Sequence, residues 1–129
     1  MTREGEINSY RDLLVWQKSM VLAKQIYLLT RAFPDDERFG LITQMRRAAV
    51  SVPSNIAEGQ ARQGRREFVQ LLSHAEGSLA ELDTQLKLAD DLGYCLNLNL
   101  PEMVGRVVEL QKMMASLRRK VVGRLTTND

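Results

Sequence analysis

The stretch RRAAVSVPSNIAEG, residues 46–59, decides the fold because it sets a proline inside a pattern that otherwise predicts a helix. An interior proline removes a backbone hydrogen bond and costs roughly 3 kcal/mol. Apolar residues nevertheless keep helical spacing on both sides of Pro53, and a polar stripe does the same on the opposite face. We therefore predict one helix kinked at Pro53 rather than two elements and a loop, with Ser51, Asn55 or a water bonding the freed carbonyl of Ala49. The apolar positions are Leu41, Met45, Ala48, Ala49, Val52 and Ile56, and the polar ones are Arg47, Ser51, Ser54 and Glu58.

Two later segments repeat apolar residues every 3.5 positions, from Phe68 to Ala89 and from Met103 to Val121. That period is typical of helices packed against near-parallel neighbours, and short connections make such neighbours antiparallel. We predict an all-α, antiparallel up-down-up-down four-helix bundle. A chain of 129 residues fits one domain, spanning 1–129, with short flexible ends at about 1–8 and 125–129. The predicted helical segments are about 10–32, 37–60, 65–92 and 101–123.

The first helix carries apolar residues on two opposite faces. A four-helix monomer gives each helix one inward face, so one of the two stripes needs another partner. Isolated surface aliphatics are common, but four aligned residues in four turns favour a subunit interface. We assign the core seam to Leu13, Trp16, Met20, Ala23 and Tyr27, widened by Leu14, Val21 and Leu28, and the oligomer interface to Val15, Leu22, Ile26 and Leu29.

Cysteine and histidine are too scarce for several classes of site. Cys95 is the single cysteine, which excludes an internal disulfide and a CxxC motif and fits a reducing, cytoplasmic setting. We expect an ordinary buried thiol, because His74, the one histidine, falls on another predicted segment. One imidazole cannot build a metal site, so we expect no metal and no cofactor. No stretch reaches 18 apolar residues, and we expect neither a signal peptide nor a membrane span.

Charge is segregated along the chain although the net value is only +2. Two basic groups flank an acidic stretch, a distribution more informative than the total. The first group is Arg46, Arg47, Arg62, Arg65 and Arg66; the second is Lys112, Arg118, Arg119, Lys120 and Arg124; the acids between them include Glu76, Glu81, Asp83, Asp90 and Asp91.

The chain resembles the bacterial four-helix-bundle proteins known as 23S rRNA intervening-sequence proteins. The resemblance covers about residues 10–94 and is most specific in RRAAVSVPSNIAEG and AEGSLAEL. It implies an antiparallel four-helix bundle, homopentameric rings, a link to RNA, and a fold like that of the accessory proteins of diversity-generating retroelements, but no catalytic residues. The matching signature positions are Trp16, Gly40, Leu41, Gln44, Arg46, Arg47, Ser51, Pro53, Asn55, Glu58, Gly59, Arg62, Gly77 and Ser78.

Individual signature residues admit two interpretations. Arg46 and Arg47 either contact phosphate or form an ion pair between helices or subunits. Glu58 lies four residues before Arg62, the favourable order for a helical ion pair. The small residues Gly77 and Ser78 favour close approach of another helix over a ligand pocket. His74 is expected at the boundary of the apolar seam.

We predict a non-enzymatic, oligomeric nucleic-acid-binding or scaffold protein, with structured RNA as the expected partner. No aromatic residue interleaves the basic ones in sequence, so backbone charge rather than base stacking would carry binding. A helix dipole alone would explain one or two C-terminal cations, not five. The alternatives are a protein–protein ring without nucleic acid, or an enzyme whose subunits gather Glu58, Asn55 and His74. The predicted contacts are Arg46, Arg62, Arg65, Arg66, Arg118, Arg119, Lys120 and Arg124.

Overall fold

Four helices account for most of the described chain. In this computed structural model the backbone of residues 9–95 and 99–128 is described, with side chains for 9–95 and 99–124. Helix α1 packs on α2 and α4, and α3 packs on the same two helices from the other side, so the predicted antiparallel bundle is confirmed. The predicted flexible end at 1–8 lies outside the described residues, whereas the backbone of 125–128 continues α4. The helices are α1 (Leu14–Thr30), α2 (Leu41–Ala61), α3 (Arg65–Asp91) and α4 (Leu100–Asn128), with 3₁₀ turns at Tyr10–Asp12 and Asp35–Glu37.

Helix α2 runs through Pro53 without interruption, which confirms a single element; the kink stays a prediction. The Asn55 side-chain amide donates to the Ser51 carbonyl at 2.8 Å and to its hydroxyl at 2.9 Å. Asn55 therefore reinforces the backbone beside the proline, at Ser51 rather than at the expected carbonyl. The Ser51 hydroxyl also lies 2.8 Å from that of Ser78, which ties α2 to α3.

The seams predicted on α2, α3 and α4 form the core. All six apolar positions of α2 are buried, as are the α3 residues from Leu72 to Ala89 in the 3.5-residue pattern. In α4, Val107, Leu110, Met114 and Val121 are buried. Burying a large aliphatic side chain contributes about 1.5–3 kcal/mol to the free energy of folding. These three seams therefore supply most of the favourable free energy of folding.

The faces of α1 differ from those predicted, although Leu13 and Ala23 of the predicted core seam are buried. The residues assigned to an oligomer interface, Val15, Leu22, Ile26 and Leu29, are each at most 5% exposed and lie in the core of the chain. Met20 and Tyr27, assigned to the core, are 45% and 41% exposed. Two buried hydroxyls explain the error, since they interrupt the apolar pattern of the true core face. Ser19 donates to the Trp16 carbonyl at 2.9 Å and Thr30 to that of Ile26 at 2.8 Å, which removes the cost of burying them.

Helices α2 and α3 come closest at Gly59. A Cβ added there would lie 2.8 Å from Phe68 Cδ1 and 3.2 Å from Leu71 Cβ. The turn between the helices is then only three residues, 62–64, and Gln63 adopts a left-handed φ of 63°. Gly77 differs: it is exposed, and an added Cβ would meet nothing within 4 Å, so the predicted close packing at Gly77 is wrong within this chain.

We expect Gly59→Ala to lower the free energy of unfolding by about 1 kcal/mol, because overpacking costs about 1–3 kcal/mol and the gain in helix propensity returns only about 1. Gly77→Ala, the matched control, should raise it by about 0.5–1 kcal/mol. Urea denaturation followed by circular dichroism measures both. Shifts in the same direction would contradict the close approach at Gly59.

Candidate nucleic-acid interface

The two basic groups of the sequence meet at one end of the bundle. The α2–α3 turn lies against the last turns of α4, where Arg65 Nη1 donates to the Arg124 carbonyl at 3.4 Å. A small pocket between Gly59, Phe68 and Val121 also has both arginines in its wall. The antiparallel order requires this meeting, because α2 and α4 end, and α3 begins, at the same end of the bundle. We call this region the basic end: Arg62, Arg65, Arg66, Arg118, Arg119, Lys120 and Arg124.

Some cations of the basic end are already paired. Arg62 forms the predicted ion pair with Glu58 and approaches Glu67 at 3.7 Å. Arg118 Nε donates to Glu76 Oε1 at 2.5 Å, joining α4 to α3 in a partly buried pair. Arg118 thus ties α4 to α3, whereas Arg62 is paired mainly within α2, and both contribute less than unpaired cations to any external field.

Other cations are directed to solvent. Arg119 and Lys120 are exposed and form no ion pair with any residue of the described ranges. Lys120 and Lys112 line a shallow groove against Leu13 and Leu14 of the α1 end. The basic end therefore has cations that are not neutralised by ion pairs and can contact a polyanion.

Acidic residues gather at the opposite end of the bundle. Asp35 and Asp36 precede α2, Asp90 and Asp91 end α3, and Glu102 begins α4. An Arg106–Glu102 pair at 3.0 Å and a Lys87–Asp91 pair at 3.2 Å compensate part of this charge. Arg31, Arg38 and Arg46 lie at the same end, so acids and cations are close to balance there, whereas cations are in excess at the basic end. This difference orients an approaching polyanion toward the basic end.

Arg46 does not belong to the basic end. Its Nε donates to the Thr30 hydroxyl at 2.9 Å, and Nη2 donates to the Tyr27 carbonyl at 3.3 Å. The guanidinium carbon also lies 4.6 Å from the centre of the Tyr27 ring. Arg46 therefore binds a carbonyl and a hydroxyl in the last turn of α1, where a cation is favoured by the helix dipole. It lies apart from the other predicted nucleic-acid contacts, and its own contact with nucleic acid stays a prediction.

Helix α1 leaves apolar side chains exposed on both borders of its buried face. Leu14, Val21 and Leu28 repeat every seven residues on the α4 side and are 54%, 46% and 49% exposed. We call them the outer stripe. Met20 and Tyr27 lie on the α2 side. The chain thus retains an unpartnered apolar surface on α1, although its residues differ from those predicted.

A family model for the 23S rRNA-intervening sequence protein matches residues 11–116. The chain belongs to this family. A protein of unknown function from the S23 ribosomal protein family of Bacteroides thetaiotaomicron has the same fold, with a TM-score of 0.74 and 23% identity over 82% of this chain and 96% of that chain. No curated protein matches the chain.

The residues considered for catalysis in this intervening-sequence protein are not connected to one another. Asn55 donates to Ser51, Glu58 pairs with Arg62, and His74 is exposed rather than at the seam boundary. No hydrogen bond joins His74 to Asn55 or Glu58 in the described part of the chain. Within the same residues no cluster of three or more His, Cys, Asp or Glu side chains could hold a metal ion.

Cys95 is the ordinary buried thiol expected from the sequence. Burial first, and the nearby Asp90 carboxylate second, raise its pKa, which disfavours the nucleophilic thiolate. Within the described residues, no helix combines the length and the apolar composition that a membrane span requires.

Arg46 and the adjacent Arg47 form a matched pair of variants. Arg46→Ala should lower the free energy of unfolding by about 1.5–3 kcal/mol, because it removes charged hydrogen bonds to Thr30 and to the end of α1. Arg47→Ala should change it by less than about 0.5 kcal/mol, since Arg47 is exposed and forms no such bond with the residues that the structure describes. Denaturant titration measures both, and equal losses would contradict the structural role of Arg46.

Proposed function

We propose that the protein is a non-enzymatic, oligomeric RNA-binding or scaffold protein whose basic end contacts the phosphate backbone. The observation that carries the proposal is the contact between Arg65 and the Arg124 carbonyl, because it joins two basic groups about sixty residues apart into one surface. The family description, which names a 23S rRNA intervening sequence, supports RNA as the polyanion.

Backbone recognition suits the side chains of this surface. Arginine and lysine contact phosphate oxygens without reading sequence, and A-form RNA is recognised largely by shape and phosphate position. Arg66, Arg119 and Lys120 lie on the two elements that meet at the basic end, and all three are exposed. The supported chemistry is therefore charge neutralisation along a structured RNA, with no covalent step.

Association of several copies would multiply a modest charge. The outer stripe gives each copy an aliphatic seam with the seven-residue repeat that helices use to pack on one another. In a closed ring the basic end is repeated by symmetry, and each neutralised phosphate adds to affinity. The family resemblance favours five copies.

The second candidate is a protein–protein ring without nucleic acid. It is favoured by the ion pairs of Arg62 with Glu58 and of Arg118 with Glu76, which consume cations within the chain. The two candidates predict different results when the exposed charges are reversed. The RNA-binding candidate predicts loss of the RNA complex, and the protein–protein ring predicts loss of the oligomer.

The first test reverses exposed charges and spares the paired arginines. Arg119→Glu with Lys120→Glu should weaken binding to a structured RNA at least tenfold and flatten the slope of log affinity against log salt by roughly two units, about 0.9 for each lost phosphate contact. Filter binding across a salt series measures both quantities.

The matched control is Lys24→Glu with Arg31→Glu, an equal charge change on the exposed side of α1. It should lower affinity much less. Equal loss in both double variants, or wild-type binding that is absent at low salt or insensitive to salt, would contradict the RNA proposal. Loss of the oligomer in the Arg119/Lys120 variant would favour the protein ring.

The second test concerns the outer stripe. Val21→Glu places a charge at its centre and should dissociate the oligomer, because an unpaired charge is costly to bury in an apolar interface. Gln70→Glu, the same added charge on an exposed position of α3, should leave the oligomer intact. Sedimentation velocity measures the mass of each species, and circular dichroism checks that helices persist. A wild-type monomer at all concentrations would contradict association.

A further inference from the structure

A cleft of about 640 Å³ lies between the end of α1 and the first half of α2, far from the basic end. Its lining combines two aromatic rings, three arginines, hydroxyl groups and the aliphatic Ile42 and Val50, with no acidic side chain among the described residues. This volume is in the usual range for small-ligand sites, about 300–1,000 Å³. We call it the aromatic cleft; its main residues are Tyr27, Arg38, Phe39, Arg46, Arg47 and Ser54.

Phe39 is the most exposed large apolar side chain described, at 88%. The backbone that carries it is nevertheless fixed. The Gly40 amide donates to the Glu37 carbonyl at 3.1 Å, and Thr43 Oγ1 donates to the Arg38 carbonyl. Glu37 is anchored in turn, because the Tyr94 hydroxyl donates to its carboxylate at 3.0 Å. The Phe39 ring is therefore exposed to solvent although the backbone of its loop is held in place by hydrogen bonds.

Tyr27 forms a second aromatic wall of the cleft. The guanidinium carbon of Arg46 lies 4.6 Å from the centre of the Tyr27 ring, and Arg46 also donates to the Tyr27 carbonyl. These two contacts hold the ring in position. Arg38 and Arg47 differ from Arg46, since their guanidinium groups form no ion pair within the described ranges. Two uncompensated cations thus border an exposed aromatic ring.

We infer that the aromatic cleft binds an unpaired nucleotide of RNA. The base would stack on Phe39, and the flanking phosphate would accept from Arg38 and Arg47. Aromatic stacking and backbone charge are the two components of single-strand binding, and the cleft combines the consecutive Arg38 and Phe39 with Arg47 of α2. Ile42 and Val50 add aliphatic surface to the lining, as a protein partner would require, but the arginine donors at both borders favour a ligand that carries phosphate.

This inference rests on the proposed RNA-binding function and adds a second point of contact. Arg47 and Arg62 are fifteen residues apart on α2, so at 1.5 Å per residue the cleft lies about 22 Å from the basic end. One RNA could place a helical segment at the basic end and an unpaired nucleotide in the cleft.

The test uses a fluorescein-labelled oligoadenylate of three nucleotides, which has no duplex for the basic end to recognise. Phe39→Ala should weaken its binding about 5- to 150-fold, the usual loss when one stacked aromatic is removed. Phe39→Tyr should retain affinity, and Phe39→Leu should not, because apolar area without a π face does not stack. Fluorescence anisotropy measures each affinity, and the exposure of Phe39 makes all three variants compatible with folding.

Charge variants separate this site from the basic end. Arg47→Ala should weaken trinucleotide binding and flatten its salt slope by about 0.7, the value for one phosphate on a single strand. Arg119→Glu with Lys120→Glu should leave trinucleotide binding unchanged, so loss of structured-RNA binding in that variant tests only the proposed function.

Three outcomes would overturn the cleft assignment. They are absence of trinucleotide binding to the wild type, equal affinity of Phe39→Leu and the wild type, and dissociation of the oligomer by Phe39→Ala. The last would mean that a second copy of the chain covers the cleft.

Discussion

The close approach of α2 and α3 at Gly59 is the constraint on which the rest of the structure depends. Because Gly59 has no side chain, α2 and α3 approach each other closely beside Phe68. The chain can therefore reverse direction within residues 62–64. That reversal places Arg65 against the end of α4, where its guanidinium reaches the Arg124 carbonyl. The basic end is thus a consequence of packing, and so is the excess of positive charge at one end of the bundle.

Helix α1 contributes differently, because it is apolar on more of its surface than the bundle can cover. Its buried face fills the core, and its two borders remain exposed: the outer stripe beside α4, and Met20 and Tyr27 beside α2. One border supplies an aliphatic seam suited to another copy, and the other supplies a wall of the aromatic cleft. Arg46 stabilises the fold and also shapes the aromatic cleft, since it binds the end of α1 and packs on the Tyr27 ring.

The sequence predicts the bundle well because regular apolar spacing on α2, α3 and α4 has one solution once the connections are short. It fails on α1, where both faces are apolar and the buried Ser19 and Thr30 hide the true seam by bonding to their own helix. The sequence places Arg38 directly before Phe39, but it does not show the other members of the cleft. Tyr27 and Arg47 are 12 and 8 positions from Phe39 in the chain. The packing of α1 on α2 brings them to the Arg38–Phe39 pair.

The most direct measurement is the position of photo-cross-links between the oligomer and a structured RNA substituted with 4-thiouridine, mapped by mass spectrometry of the peptides. The account predicts cross-links in residues 62–66 and 119–124, with an additional one at Phe39 when the RNA contains unpaired nucleotides. Cross-links concentrated around Asp90, Asp91 and Glu102, where α3 ends and α4 begins, would contradict it.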